Sequence, residues 1–290
     1  MPSMIGRLLV MVLCLTLAVS VPGIWHTHAA AETMTLLAFN IGKADSLLLR
    51  SGESSYLIDT GRGKNWEFIE EGLKKLGINH LDGVVITHMD SDHVGGLKKM
   101  LKSDISTDHL YASAFYLPED KPDKENPAVK AASKQGIEVE FLQGGDSLPL
   151  DGGRIQVLGP LRAAADKEDS NSLVLYAEAA GGSMLLAGDM EFPEESDLLN
   201  AGVIPHADVL KVGNHGDDDA TSEALLSAVQ PSIAVISTST EEKESTPARR
   251  VLKALEKWNA EVFQTQEAAW GILVTIQDGT VSAQRIQELP

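Results

Sequence analysis

The sequence predicts an α/β fold in which mixed β-sheets are covered by helices. Three observations carry that prediction. Short β-rich runs alternate with helical segments from residue 33 onward, strands stand both before and after the interspersed helices, and no composition break divides the chain. With 43% hydrophobic and 23% charged residues over 290 positions, the chain can bury a substantial core.

The first strands are expected at Thr35–Phe39, Ser46–Arg50, Tyr56–Ile58 and Val84–Thr87, short runs rich in apolar and β-branched residues. Trp66, Phe68, Ile69, Leu73 and Leu76 recur at helical spacing, so 65–76 reads as an amphipathic helix with its aromatic residues in the core. Pro118, Pro122 and Pro127 among polar residues make 117–128 an exposed loop. Later strands are expected at 138–142, 155–158, 173–177, 183–187, 209–212, 233–237, 261–264, 272–276 and 280–285. Helices are expected at 94–102, 191–200, 221–229 and 247–258. No internal repeat or low-complexity tract is visible.

Ahead of this region, Arg7 precedes an apolar run from Leu8 to Val21, closed by Pro22 and Gly23 and followed by Ala29, Ala30 and Ala31. That pattern reads as a secretory signal peptide over 1–31, leaving residues 32–290 as one large α/β domain of a secreted or cell-surface protein. An uncleaved anchor is the other reading, but the run is short for a span of about 17 residues. Once the signal is cleaved, no stable membrane insertion is expected. The single cysteine, Cys14, lies inside the run, which excludes a disulfide framework and any cysteine-based zinc site in the remainder. A metal must therefore use His, Asp or Glu. The 24 basic against 42 acidic side chains give a net charge of −18, which excludes a basic nucleic-acid coat protein.

The most informative stretch is Thr87-His88-Met89-Asp90-Ser91-Asp92-His93-Val94-Gly95-Gly96, directly after the apolar run Val84-Val85-Ile86. A buried strand delivers four possible ligands, His88, Asp90, Asp92 and His93, onto a turn, and Gly95 and Gly96 let the next helix pack close beneath it. A chance cluster of polar loop residues is the ordinary alternative. Two histidines among acids immediately after a core strand are an unusual composition for a solvated loop.

These residues resemble the metallo-β-lactamase superfamily, whose signature is His-x-His-x-Asp-His, and more specifically the C-terminal hydrolase-like domain of ComEC-type competence proteins, where the middle His is commonly Asp, as at Asp90. Asn40-Ile41-Gly42-Lys43-Ala44-Asp45 resembles that family's Asp-Val-Gly-Gln-Gly-Asp segment, and Leu57-Ile58-Asp59-Thr60-Gly61 its Ile-Asp-Thr-Gly turn. Ser170-Asn171-Ser172-Leu173-Val174-Leu175 resembles its Asn-Ser strand start, Leu185-Leu186-Ala187-Gly188-Asp189 its Thr-Gly-Asp segment, and Asp208-Val209-Leu210-Lys211-Val212-Gly213-Asn214-His215-Gly216 its Leu-Lys-Val-Pro-His-His-Gly segment.

The resemblance implies an αββα sandwich of two mixed β-sheets flanked by helices, with a dinuclear metal site at one edge. It places His88 and Asp90 on one metal, Asp92 and His93 on the second, Asp189 between both, and His215 on the second. Asp45 and Asp59 are assigned to supporting positions, with turn-capping carboxylates an equally good reading. Three departures stand out: Asn214 replaces the first His of His-His-Gly, Asp217 to Asp219 replace a Ser-rich continuation, and Glu244-Ser245-Thr246-Pro247 stands where Gly-His-Pro is usual. His26 and His28 lie upstream of the cleavage site, and His80, His109 and His206 lie by strands without acidic partners at ligand spacing, so none is a site residue.

Three His and three Asp without a thiolate suit Zn or Mn, and Asp90 shifts preference toward the harder ion. Two such ions about 3.5 to 4 Å apart activate water for an in-line displacement, with Asp92 or Asp189 as proton acceptor. Lys211 reads as a strand lysine pointing to solvent, with a contact to a phosphoryl oxygen as the other reading. The expected function is an exported metal-dependent hydrolase, a phosphodiesterase or nuclease; a non-catalytic metal-binding or accessory protein is the alternative. Nucleic acid as substrate is open but unsupported by charge, since no basic stripe is evident. Asp90, and the lack of a third His between 94 and 188 other than His109, disfavour β-lactam hydrolysis.

Overall fold

The computed structural model describes residues 33–117, 125–164 and 167–290. The expected signal segment with Cys14, His26 and His28 lies outside them, as do Pro118 and Pro122. Six strands come first: β1 (Thr33–Phe39), β2 (Leu47–Ser51), β3 (Ser54–Ile58), β4 (His80–Ile86), β5 (Ser106–Ser113) and β6 (Glu140–Leu142). Seven follow: β7 (Ser147–Leu150), β8 (Gly153–Gly159), β9 (Val174–Ala179), β10 (Gly182–Leu186), β11 (Val209–Lys211), β12 (Ile233–Ile236) and β13 (Glu261–Gln264). A final hairpin, β14 (Gly271–Gln277) and β15 (Thr280–Ile286), returns to the first sheet. The sheet orders are β15-β14-β1-β2-β3-β4-β5-β6 and β13-β12-β11-β10-β9-β8-β7, each mixing parallel and antiparallel pairs.

Side-chain alternation along the strands builds the layers. Leu36, Leu49, Ile58 and Val85 face the second sheet and meet Ile155, Leu175, Met184 and Val235, while their neighbours Leu37, Leu48, Leu57 and Val84 face the opposite way. Those outer residues are covered by α1 (Trp66–Lys75), α2 (Leu97–Met100) and α3 (Pro127–Ser133) through Trp66, Ile69, Leu73, Leu97 and Met100. Leu185 and Leu210 on the far face of the second sheet are covered by α4 (Phe192–Ala201), α5 (Glu223–Val229) and α6 (Arg249–Lys257) through Leu198, Leu225, Leu226, Val251 and Leu255. The layers are helix, sheet, sheet, helix, as the αββα expectation requires.

Four differences from the expected elements have physical causes. The 117–128 loop ends early, because Pro127 opens α3 and the Asn126 side chain caps it by accepting from the Ala128 and Val129 amides at 2.9 and 3.3 Å. The 94–102 helix contracts to Leu97–Met100, because the preceding residues form the tight turn that carries the ligand candidates. β5 escapes the hydrophobic pattern because β6 pairs with it only from Tyr111 to Ser113, leaving its polar first half on an edge. β7 contains Pro149, which is tolerated because β7 is the edge strand of its sheet.

Glu194 in α4 is buried with both carboxylate oxygens unpartnered. Burial, with Asp197 and Glu195 adding repulsion, pushes its carboxyl well above the ordinary value. The folded chain thus holds a proton that the unfolded chain releases above pH of about 4.3, and stability drains as pH rises above that value. Urea unfolding of Glu194→Gln should match the parent near pH 4 and exceed it by about 1–3 kcal/mol at pH 8. Parallel pH profiles for the two proteins would contradict this.

Candidate metal centre

All the candidate residues leave the carboxyl ends of strands. β4 runs into His88–His93, β3 into Asp59, β10 into Asp189 and β11 into His215. The Leu173 amide donates to the Thr87 carbonyl at 2.9 Å, stitching the start of β9 to the end of β4. The Asp45 and Thr60 amides donate to the carbonyls of Asp92 and His93, locking the ligand turn onto two neighbouring loops. Gly96 lies so close to this junction that a Cβ would sit 2.2 Å from the Thr60 carbonyl oxygen. Asp59, Asn214 and His215 all take positive φ, a strain of roughly 1–3 kcal/mol each that recurs at functional sites.

Hydrogen bonds settle how the three imidazoles are oriented. Asp59 Oδ2 lies 2.7 Å from His93 Nδ1 and also accepts from the Thr87 hydroxyl at 2.7 Å. Thr87 has thereby used its one proton, so its oxygen, 3.1 Å from His88 Nδ1, accepts there. His215 Nδ1 faces the Ser237 carbonyl at 2.9 Å, which can only accept. Each Nδ1 therefore carries a proton, and in the neutral ring each Nε2 presents a lone pair inward. The Nε2 atoms of His93 and His215 are 3.4 Å apart, and Asp189 Oδ2 is 3.2 Å from both.

A divalent cation fits this set. His88 Nε2, Asp189 Oδ1 and Asp45 Oδ1 are buried and without a hydrogen-bond partner. Ligand atoms of His88, His93 and Asp189 lie within 4.8 Å of one another, as do those of Asp92, His93 and His215. Burial, reinforced by repulsion from His93, pulls His88 down to about 4, so its lone pair is available near neutrality. Burial also disfavours charge on His93, but Asp189 and Asp59 outweigh it and raise its pKa well above the ordinary value. Burial opposes ionisation of Asp189, yet His215 and His93 hold it well below the usual carboxylate range. Protons on imidazole here supply positive charge that a metal can replace.

All six sequence-chosen residues, His88, Asp90, Asp92, His93, Asp189 and His215, converge on this pocket. Sequence reasoning missed a seventh, Asp169. Its carboxylate forms a close group with His88 and Asp90, 3.7 Å from His88 Nε2. Burial, then repulsion from Asp189 and Asp90, pushes Asp169 up to about 7, as expected of acids gathered without a cation. Its only signal was position, an acid just before β9.

The expectation for Lys211 is corrected. Lys211 is fully buried, pairing with Asp45 Oδ2 at 2.7 Å, so it neither points to solvent nor reaches a substrate. Asp217, Asp218 and Asp219 are each charge-paired: Asp217 with Lys243 at 2.7 Å, Asp218 with Arg250 at 3.2 Å, and Asp219 with Lys167 at 3.3 Å. Asn214 donates to Glu191 at 3.2 Å instead of joining the imidazoles. His80, His109 and His206 each meet an acid at the surface: Asp108, Glu140 and Asp208. A cleft of 530 Å³ opens at Asp90 and Asp92, and Lys98, Lys130 and Lys134 line it. These lysines are scattered in sequence, which is why no basic stripe is legible there.

The family model for the metallo-beta-lactamase superfamily matches residues 40–240. ComE operon protein 3 of Bacillus subtilis (strain 168) is 32% identical over 191 residues, covering 66% of this chain and 24% of that protein. Recombination protein 2 of Haemophilus influenzae is 27% identical over 231 residues, covering 78% and 27%. The chain thus spans about a quarter of the length of these relatives. Among solved structures, the metallo-beta-lactamase fold protein YhfI from Bacillus subtilis aligns with a TM-score of 0.50 at 13% identity, covering 88% of this chain and 100% of that one. At that identity the likeness concerns the fold alone. Among the described residues, no helix is long and apolar enough to cross a membrane.

Asp59 sets the tautomer of His93, so Asp59→Ala should lower affinity for a divalent cation about 10- to 100-fold while the far-UV circular dichroism stays native. Calorimetric titration with Zn and Mn checks this. Unchanged affinity in a folded variant would contradict the orientation argument.

Proposed function

Because the chain belongs to the metallo-beta-lactamase superfamily, we propose that it is a metal-dependent hydrolase of phosphodiester bonds. The observation that carries the proposal is the convergence of three buried imidazoles on Asp189, with His93 Nε2 and His215 Nε2 each 3.2 Å from its Oδ2 and His88 in the same close group. In this reading His88, Asp90 and Asp169 would hold one Zn or Mn ion, Asp92, His93 and His215 would hold a second, and Asp189 would serve both. Such a pair supplies Lewis acidity that polarises a phosphoryl group and acidifies water at neutral pH.

The chain's own residues account for the remaining tasks. Arg62 holds Asp92 Oδ2 at 3.2 Å, fixing that carboxylate at the mouth of the cleft. Asp92 is partly open and Asp189 enclosed, so Asp92 is the better placed of the two to take a proton from an incoming water. Lys98, Lys130 and Lys134 line the cleft together with Asp90, Asp92 and Glu168, so once cations neutralise the two aspartates the lysines would favour an anionic substrate there in spite of the net charge of −18. A phosphodiester, including one in nucleic acid, suits that lining better than a neutral ester or a lactam. In the same proposal residues 1–31 are a cleaved export signal, and 32–290 act outside the cytoplasm.

Thr246 favours the non-catalytic alternative, because it stands in place of a histidine and is buried, its hydroxyl donating to the Lys243 carbonyl. One experiment separates the two readings. Elemental analysis should give two divalent ions per chain, and Asp189→Ala should lose most of both. A screen across phosphodiester, carboxylic ester and lactam substrates should show metal-dependent cleavage of the phosphodiester, reduced at least about 100-fold in Lys130→Ala/Lys134→Ala/Asp189→Ala. Metal retention without turnover of any substrate would establish the binding protein instead.

A further inference from the structure

After β12 the chain passes over the segment between β1 and α1, and there Glu242 makes a set of contacts that the metal site does not use. Its Oε2 accepts from the Lys43 amide at 3.1 Å and from Arg62 at 3.0 Å, and its Oε1 accepts from Lys64 at 3.3 Å. The second terminal nitrogen of Arg62 reaches Asp92 Oδ2 at 3.2 Å, so one guanidinium joins the Glu242 carboxylate to a proposed metal ligand.

The backbone under Glu242 is shaped for an anion. Gly42 has φ of +85°, and a Cβ there would lie 2.6 Å from Glu242 Oε1, so a glycine is what lets the carboxylate rest against this turn. The Lys43 N–H, directly after this positive-φ glycine, points at the carboxylate. A guanidinium fork and an ammonium group complete a donor set suited to phosphate oxygens. An ordinary surface ion pair, worth about 0–1 kcal/mol, needs neither a glycine floor nor three donors on one carboxylate.

We infer that the Lys43 amide, Arg62 and Lys64 form a phosphate-binding subsite beside Asp92, and that Glu242 is the chain's own carboxylate occupying it. A substrate phosphate must displace Glu242 to enter, which sets a threshold that only a strongly anionic group passes. Placing a substrate there rests on the phosphodiesterase reading; the anion site itself does not. Arg62 couples the two, because a phosphate that draws on the guanidinium also touches the group that steadies Asp92.

The test is calorimetric titration of inorganic phosphate into the full chain, with and without bound metal, for the parent, Glu242→Ala and Glu242→Gln. Glu242 is an exposed-rim side chain, and thermal melts report whether each variant is folded. Removing the internal competitor should tighten phosphate binding about tenfold or more in both variants, whether or not metal is present. Adding Lys64→Ala or Arg62→Ala to the metal-free Glu242→Ala chain should abolish that gain. Affinities within twofold of the parent, or a gain confined to metal-loaded protein and untouched by Lys64→Ala, would overturn the subsite. A tightened phosphate site on a chain that hydrolyses no phosphodiester would overturn the proposed activity and leave the subsite standing.

Discussion

Three buried imidazoles gathered around one carboxylate set the terms for this molecule. Nε2 of His93 and Nε2 of His215 face each other at 3.4 Å, with His88 Nε2 buried nearby and without a partner. A buried acceptor left unpaired costs roughly 1–3 kcal/mol, and here the three rings share one pocket with the Asp189 carboxylate. A proton on His93 offsets part of that cost, held there by Asp189 and Asp59. Divalent cations bound between these groups would answer the remaining lone pairs.

The four-layer architecture exists to hold that arrangement rigid. Asp59 reaches His93 from β3, Ser237 reaches His215 from the end of β12, and Asp45 is anchored by a lysine buried in β11. The supports come from both sheets, so the orientation of each ring depends on the packing between them. Backbone bonds from Leu173 to Thr87, and from Thr60 to His93, close the seam where strand ends meet. Buried pairs such as Lys211 with Asp45 add little net stability, but they fix where the carboxylate points.

Much of this is legible in the sequence, for reasons that differ by residue. His88 to His93 stand out because a buried strand ends directly in six residues that contain four possible ligands, two His and two Asp. Asp189 and His215 follow strands with the same apolar lead-in, and the family resemblance gives them roles. Asp169 is hidden in the acid-rich run Lys167-Glu168-Asp169, where no spacing marks one carboxylate over another. Lys211 is misleading because β11 is buried on both faces, so alternation cannot tell inside from outside, and its partner Asp45 is 166 positions away in sequence. The same distance problem conceals the pairing of Asp217 to Asp219 with Lys243, Arg250 and Lys167. Local acidity looks repulsive until the fold supplies the cations.

Charge therefore has to be read locally in this chain: a net −18 coexists with a cleft lined by three lysines and with a glycine-floored cationic pocket beside Asp92. The fold fixes where a ligand binds, and only the side chains at that edge decide what it is. The central claim is that the buried imidazoles and carboxylates hold two cations that share Asp189. Anomalous diffraction at the metal absorption edge, from crystals grown with Mn or Zn, tests it most directly. The account predicts two peaks, one among His88, Asp90 and Asp169 and one among Asp92, His93 and His215, each within coordination distance of Asp189. A single peak, or peaks only at surface histidines such as His80 and His109, would contradict it.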